Sequence, residues 1–228
     1  MQCSEVYIVI PAYNEAAEVL RHTIAPLCAA GYHVVVVDDG SREPLAPALH
    51  GLPVTVLRHR LNRGQGAALQ TGMSYCRALN AKYCVHFDAD GQHDARDIPA
   101  MIAALDAGAN VALGSRFLRS EDIAAVPYAR RCLLRVARIV NGLLTGLWLT
   151  DAHNGFRALD RKALSCINLT EDRMAHASEI LTQIRDAHLR ITEVPTHIIY
   201  SQYSTAKGQS AGNALNILLD LIIKKLIG

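Results

Sequence analysis

Four consecutive valines follow His33, and two aspartates follow the valines. A run without polar residues at alternate positions cannot turn one side to water. It reads as a strand buried on both faces, as in a parallel sheet covered by helices. The rest of the first half agrees. Residues 6–10, 54–57, 83–87 and 111–113 are further short apolar runs, and helical patterns occupy 15–30, 64–80 and 98–107 between them. This alternation predicts an α/β fold with a mainly parallel central sheet flanked by helices. Such sheets bind ligands at the carboxyl ends of their strands. Three polar clusters fall at those ends, at residues 11–15, 38–41 and 88–92.

After Arg116 the pattern changes. Residues 128–149 read as one long helix, 156–159 as a short strand and 175–188 as a helix. Residues 191–200 read as a strand with Pro195 inside it, hence an edge or bulged strand. No linker rich in Pro, Gly or Ser and no internal repeat interrupts the 228 residues, so a single domain is expected. Half the residues are hydrophobic (50%), ample for a core. A net charge of +2 with dispersed basic residues leaves no electrostatic footprint for nucleic acid. The six cysteines include no Cys-x-x-Cys pair and mostly sit in apolar runs, as reduced thiols of a cytoplasmic protein do. The ten histidines lack zinc-site spacing. The first residues lead into a strand rather than a signal peptide, and no run of about 18 apolar residues is present to span a bilayer.

The cluster after the strand at 83–87 is Asp88-Ala89-Asp90-Gly91-Gln92. Two carboxylates one residue apart, with a glycine for the turn, suit a hard divalent cation. Mg²⁺ or Mn²⁺ takes oxygen ligands and one or two carboxylates, which leaves places for phosphate and water. A metal-bridged diphosphate is therefore the first reading, against the bland one of a turn or helix cap. An EF-hand is excluded: the glycine falls too early, and the twelfth position from Asp88 is Pro99 rather than Glu. In Pro11-Ala12-Tyr13-Asn14-Glu15 the proline stiffens the turn, Asn14 or Glu15 can cap the helix, and Tyr13 offers a ring for a base. Asp38 and Asp39 can accept hydrogen bonds from a base N–H or from ribose hydroxyls. No Gly-x-Gly-x-x-Gly follows the first strand and no P-loop motif is present, which disfavours a dehydrogenase and a P-loop enzyme. Asn62-Arg63-Gly64-Gln65-Gly66 opens a helix whose N-terminus favours anions and whose glycines allow close backbone approach. Arg63 serves either a phosphate or a neighbouring Asp. Gly114-Ser115-Arg116 adds a cation on the same edge.

Taken in order, Pro-Ala-Tyr-Asn-Glu, Val-Asp-Asp-Gly-Ser, Asn-Arg-Gly-x-Gly, Asp-Ala-Asp-Gly-Gln-His, Gly-Ser-Arg, Asp151-x-x-x-Gly155-Phe156-Arg157 and the late Lys207 resemble family 2 glycosyltransferases. The match is closest to the dolichyl-phosphate mannose synthase-like, or polyprenyl-phosphate sugar transferase, branch. The resemblance implies a GT-A fold, Rossmann-like, and an inverting, metal-dependent hexosyl transfer from a nucleotide-diphosphate sugar. It implies metal binding at Asp88, Asp90 and Gln92, with Ala89 between the carboxylates. It implies base and ribose binding by Pro11, Tyr13, Glu15 and Asp39, and closure over the diphosphate by Lys207. Residues 1–118 then form a nucleotide-sugar-binding half, 119–210 an acceptor half and 211–228 an amphipathic C-terminal helix. The expected donor is a UDP- or GDP-sugar. The expected acceptor is a polyprenyl phosphate or a cell-surface glycan intermediate.

Chemically, Asp90 with Asp88 beside it would hold the metal that stabilises the leaving diphosphate, with Arg116 or Lys207 adding charge. A hydroxyl acceptor would need a base, for which Asp151 and Glu179 are candidates; each could instead be a helix cap or half of an ion pair. A lipid phosphate is already ionised and needs little such help. Arg157 is expected to brace Asp151 or its loop. The acceptor-phosphate arginine is open among Arg130, Arg131, Arg135 and Arg138. The polar stretch 201–210 is expected to be a lid. The tail at 213–227 carries a narrow polar face, Asn213, Asn216, Asp220 and Lys224, on an otherwise Leu- and Ile-rich helix. It either packs on its own domain, closes a homodimer, or docks on a membrane surface or small membrane partner at the inner face of the cell membrane. The rival functions are a sugar-1-phosphate nucleotidyltransferase, disfavoured because a basic glycine-rich loop is missing after the first strand, and a non-catalytic nucleotide-binding subunit, disfavoured by the intact Asp88/Asp90 pair.

Overall fold

The computed structural model describes residues 5–118, 139, 142, 143, 145–151, 154–197 and 199. The expectations for Lys207, the stretch 201–210, the tail 211–228 and the four arginines between 130 and 138 lie outside the described residues.

Seven strands form one sheet: β1 (Val6–Ala12), β2 (His33–Asp38), β3 (Val54–Arg58), β4 (Tyr83–His86), β5 (Val111–Ser115), β6 (Arg157–Asp160) and β7 (Ile191–Pro195). Helices with described bounds accompany them: α1 (Ala17–Ala29), α2 (Gln65–Ala78), α3 (Ile98–Asp106), α4 (Arg161–Cys166) and α5 (His176–Asp186). The strand order is β3-β2-β1-β4-β6-β5-β7. Every neighbouring pair is parallel except those made by β6, which runs antiparallel to both β4 and β5. The valines of β2 are buried on both sides, as their unbroken run demands. Ile8, Ile10, Val34, Val36, Val85 and Phe87 pack on one side against α1 and α3. Val9, Cys84, Val111, Leu113 and Leu159 pack on the other against α2, α4 and α5.

Three features differ from the sequence reading. The helix expected to reach residue 149 stops at Gly146, whose φ of +75° ends it, and its N–H closes onto the Gly142 carbonyl. α4 was not expected; Asp160 starts it by accepting the Ala163 N–H at 2.7 Å, an ordinary N-cap. The strand expected over 191–200 ends at Pro195, which is the last residue of the edge strand β7, where a missing N–H is tolerated, rather than inside it. Among the described residues no helix is long and apolar enough to cross a membrane.

The antiparallel β6 matters most for the site. Its first residue, Arg157, pairs with His86 at the end of β4 and with Leu113 near the end of β5. The segment leading into β6 therefore arrives at the carboxyl edge of the other strands, beside the Asp88 loop.

Candidate functional site at the carboxyl edge of the sheet

The loops after β1, β2, β3 and β4 enclose a cleft of about 380 Å³. Pro11, Ala12, Tyr13 and Glu15 form one wall; Asp39, Asn62, Gly64 and Gln65 form another; Asp88, Ala89 and Asp90 form the floor with Ala68. Seven residues singled out from the sequence thus meet in one place: Pro11, Tyr13, Glu15, Asp39, Asp88, Ala89 and Asp90. Tyr13 is 42% exposed, so its ring is available for stacking.

The two aspartates after β2 have separate tasks. Asp38 is fully buried, and its carboxylate accepts the Ser41 N–H at 2.9 Å and the Leu45 N–H at 3.2 Å, which builds the turn. Asp39 accepts four hydrogen bonds: from Arg63 N (3.0 Å), Gly64 N (2.6 Å), Asn62 Nδ2 (2.9 Å) and the His59 ring (Nδ1, 2.7 Å). Its carboxylate shapes the 59–64 loop that walls the cleft. Asn14 does not cap α1. Its N–H donates to Ser41 Oγ and its Oδ1 accepts the Arg42 N–H, so it ties the first loop to the second. The helix begins after Ala16 without a side-chain cap.

The carboxylate pair on the floor fits a hard cation. Asp90 Oδ1 accepts the Gln92 N–H at 3.0 Å, and Asp88 Oδ1 accepts from Gln65 Nε2 at 3.1 Å. Burial first, and then the charge of Asp88, push the Asp90 carboxyl above its ordinary value. A bound cation stabilises the ionised form of a carboxylate that burial and a neighbouring charge hold up. The described residues bring no group of three or more His, Cys, Asp or Glu into a metal cage.

Asp88 rests on a layer that the sequence reading left without a role. The Asp88 N–H donates to His93 Nδ1 at 3.1 Å, which leaves the ring proton on Nε2, 3.4 Å from Asp88 Oδ2. The His93 ring stacks on Phe156 and meets Phe87 edge-on, with centroids 5.0 and 5.3 Å apart. Gly155 packs so near that a Cβ there would lie 2.9 Å from Asp88 Oδ2. Arg157 is 2% exposed. Burial lowers it to about 10, held up by the charges of Asp88 and Asp151, so it is a cation at neutral pH. Its interaction with the expected partner Asp151 is electrostatic and comes second to that with Asp88. Behind it, burial lowers His86 to about 3 and His176 to about 4, with the Arg157 charge contributing second in both.

The remaining predicted residues fall beside the cleft or away from it. Arg116 donates to Asp151 through Nε (2.7 Å), Nη2 (2.8 Å) and its backbone N–H (3.2 Å). Both side chains are largely buried, so Asp151 is the partner that fixes Arg116 and not an open base. Glu179 caps the 168–171 turn, accepting from Thr170 N, Thr170 Oγ1 and Glu171 N, and does not line the cleft. Arg63 takes the second of its two alternatives, a bidentate pair with Asp172 on the surface. Gly66 is a packing glycine, since a Cβ there would strike the Glu171 carbonyl and the His176 side chain. Gln92 reaches the site through its backbone N–H. Asn62, Gly64 and Gln65 were the residues of the Asn-Arg-Gly-x-Gly motif to single out; side-chain amides next to a turn glycine were the signal.

The comparisons with known proteins agree with this geometry. The family described as Glycosyl transferase family 2 matches residues 7–167. An uncharacterized protein of Methanocaldococcus jannaschii is 33% identical over 97% of this chain and 93% of its own length. A UDP-N-acetylglucosamine–dolichyl-phosphate N-acetylglucosaminyltransferase of Methanococcus voltae is 28% identical, covering 97% of this chain and 96% of that one. Among solved structures, glucosyl-3-phosphoglycerate synthase from Mycobacterium tuberculosis, in complex with Mn²⁺, UDP and glucosyl-3-phosphoglycerate, superposes with a TM-score of 0.68. It is 17% identical, covering 96% of this chain and 78% of that one. The shared architecture is the GT-A fold.

Proposed function

The chain belongs to glycosyl transferase family 2, and from that premise we propose a metal-dependent, inverting transfer of a hexose from a nucleoside-diphosphate sugar to a polyprenyl phosphate. The observation that carries this reading is the meeting of Asp88 and Asp90 with Tyr13, Glu15 and Asp39 in one cleft. In this reading Tyr13 stacks on the base, and Asp39 holds the 59–64 wall against the ribose. Asp88 and Asp90, with the Gln92 region, would hold Mg²⁺ or Mn²⁺, which when bound neutralises charge on the departing diphosphate. Gln65 and His93 orient Asp88, and Arg157 offsets the negative charge beneath it.

Asp151 positions Arg116 at the same edge, where an anionic acceptor would meet a fixed guanidinium. A phosphate acceptor needs no general base, which agrees with the engagement of Asp151 by Arg116 and of Glu179 by the 168–171 turn. The Methanococcus voltae relative, named for a UDP-sugar donor and dolichyl-phosphate acceptor, supports this donor and acceptor class. The expected place of work is the cytoplasmic face of a membrane that holds the lipid.

The test is a screen of UDP-, GDP- and dTDP-sugars with Mn²⁺ and a short-chain polyprenyl phosphate. Release of nucleoside diphosphate together with glycosylated lipid phosphate is expected. Pyrophosphate release from a nucleoside triphosphate and a sugar phosphate would identify a nucleotidyltransferase instead.

A further inference from the structure

The loop bearing Asp88 and Asp90 continues through Gln92 and His93 into the turn Ala95–Asp97 and then α3. Its outer half is held from the far end of the described chain. Beyond β7 the Thr196 N–H donates to the Ser115 carbonyl at 3.1 Å, and residues 197 and 199 lie against the metal loop. There the His197 N–H donates to Asp97 Oδ2 at 2.6 Å, and His197 Nδ1 lies 3.0 Å from Asp97 Oδ1. Two residues on, the Ile199 N–H donates to the Gln92 carbonyl at 2.9 Å. Gln92 in turn gives its own N–H to Asp90 Oδ1.

Asp97 is 5% exposed, and the hydrogen bonds its carboxylate accepts among the described residues all come from His197. A buried carboxylate is costly to leave unmatched, so Asp97 fixes where residue 197 must lie. Residue 197 fixes 199, 199 holds one side of the Gln92 residue, and Gln92 holds Asp90. We propose that Asp97 and His197 are positioning residues for the Asp90 carboxylate, acting as a latch that sets its orientation toward the divalent cation. The proposal rests on the metal reading of Asp88 and Asp90 and adds residues to it that touch neither metal nor substrate. Outer partners that orient metal ligands typically change metal affinity about 10–100-fold when removed.

The test uses the full chain with Mn²⁺ and UDP, reading free Mn²⁺ by electron paramagnetic resonance, with thermal melts alongside. Asp97→Ala and His197→Ala should each raise the Mn²⁺ dissociation constant about tenfold or more. His197→Asn, which keeps a donor near the Nδ1 position, should restore most of that affinity. Ile199→Pro removes the N–H that holds Gln92 while leaving the Asp97 carboxylate and the His197 side chain in place, so it keeps the question answerable if Asp97→Ala does not fold; the same Mn²⁺ shift is expected. Where sugar transfer is followed, the Mn²⁺ activation constant should rise while kcat at saturating Mn²⁺ stays within about twofold of wild type. Variants that melt lower yet bind Mn²⁺ as wild type does would make the pair merely structural and overturn the latch. A wild type that neither binds Mn²⁺ nor releases nucleoside diphosphate would remove the functional reading itself, a distinct result that removes the latch with it.

Discussion

Lowering the pH from 7 to 5 should destabilise the metal-free protein through two buried histidines. Burial and the neighbouring Arg157 charge hold His86 at about 3 and His176 at about 4, against an ordinary value of 6.5. As the pH falls through 6.5 the unfolded chain takes up a proton at each ring. The native protein does not, until the pH nears 4 for His176 and 3 for His86. Within that window the unfolded state binds more protons, so stability falls as the pH falls. The slope approaches about 1.4 kcal/mol per pH unit per histidine. Between pH 7 and 5 that amounts to about 2 kcal/mol for each ring and about 4 kcal/mol for the pair. Typical domains have only about 5–15 kcal/mol in total.

Urea unfolding at both pH values, with EDTA present, reads the effect directly. His86→Leu isolates half of it. Neither His86 ring nitrogen has a hydrogen-bond partner among the described residues, so leucine removes no bond to them while deleting the titrating group. Groups common to both proteins cancel in the comparison. The variant should lose about half of the pH-dependent drop and unfold at higher urea than wild type at pH 5. An identical drop in wild type and His86→Leu would refute the assignment of a buried neutral imidazole between Arg157 and His176.

Three further outcomes follow from the cleft. Asp90→Ala should abolish sugar transfer while far-UV circular dichroism stays native, and near-wild-type turnover would remove the metal-bridged mechanism. Asp39→Asn replaces one acceptor oxygen by a donor facing the N–H groups of the 62–64 loop, and should weaken UDP binding by roughly 1–3 kcal/mol in calorimetry; unchanged affinity would show that this wall does not shape the nucleotide site. Gly155→Ala places a methyl 2.9 Å from Asp88 Oδ2 and should raise the Mn²⁺ requirement without loss of fold, so a normal Mn²⁺ titration would contradict the proposed support of Asp88 by that loop.

What the sequence made legible is what depends on local pattern. Unbroken apolar runs such as Val34–Val37 name a two-sided sheet, and loops at strand ends name its working edge, because both signals are written within a few residues. The direction of β6 was not legible. Arg157-Ala158-Leu159-Asp160 has the same appearance whether it pairs parallel or antiparallel, and nothing local says that it enters between β4 and β5. That Asp39 also organises the 59–64 loop was not legible, because its four donors come from residues 59–64, beyond any local window. Glu179 read as a candidate base and Arg63 as serving a phosphate or an Asp; a turn 8 to 9 residues before it claims Glu179, and Asp172, 109 residues on, claims Arg63. His93 was in plain view, but its stacking on Phe156 needed the β6 register to be known.

The late arrival of β6 has a consequence for how the protein matures. β4 and β5 belong to the early part of the chain, and the strand that joins them is made only after the whole stretch from Arg116 to Phe156 has been synthesised. Until then each has an open edge facing the other, a template for wrong pairing. Closing the gap brings together residues far apart in sequence, a slow kind of step. The same step lowers Gly155 onto Asp88 and sets the Arg157 charge beneath it. Sheet completion and site completion are thus one event: a nascent or truncated chain ending before β6 carries the Asp88–Asp90 loop without its support and gains the chemistry only when the sheet is whole.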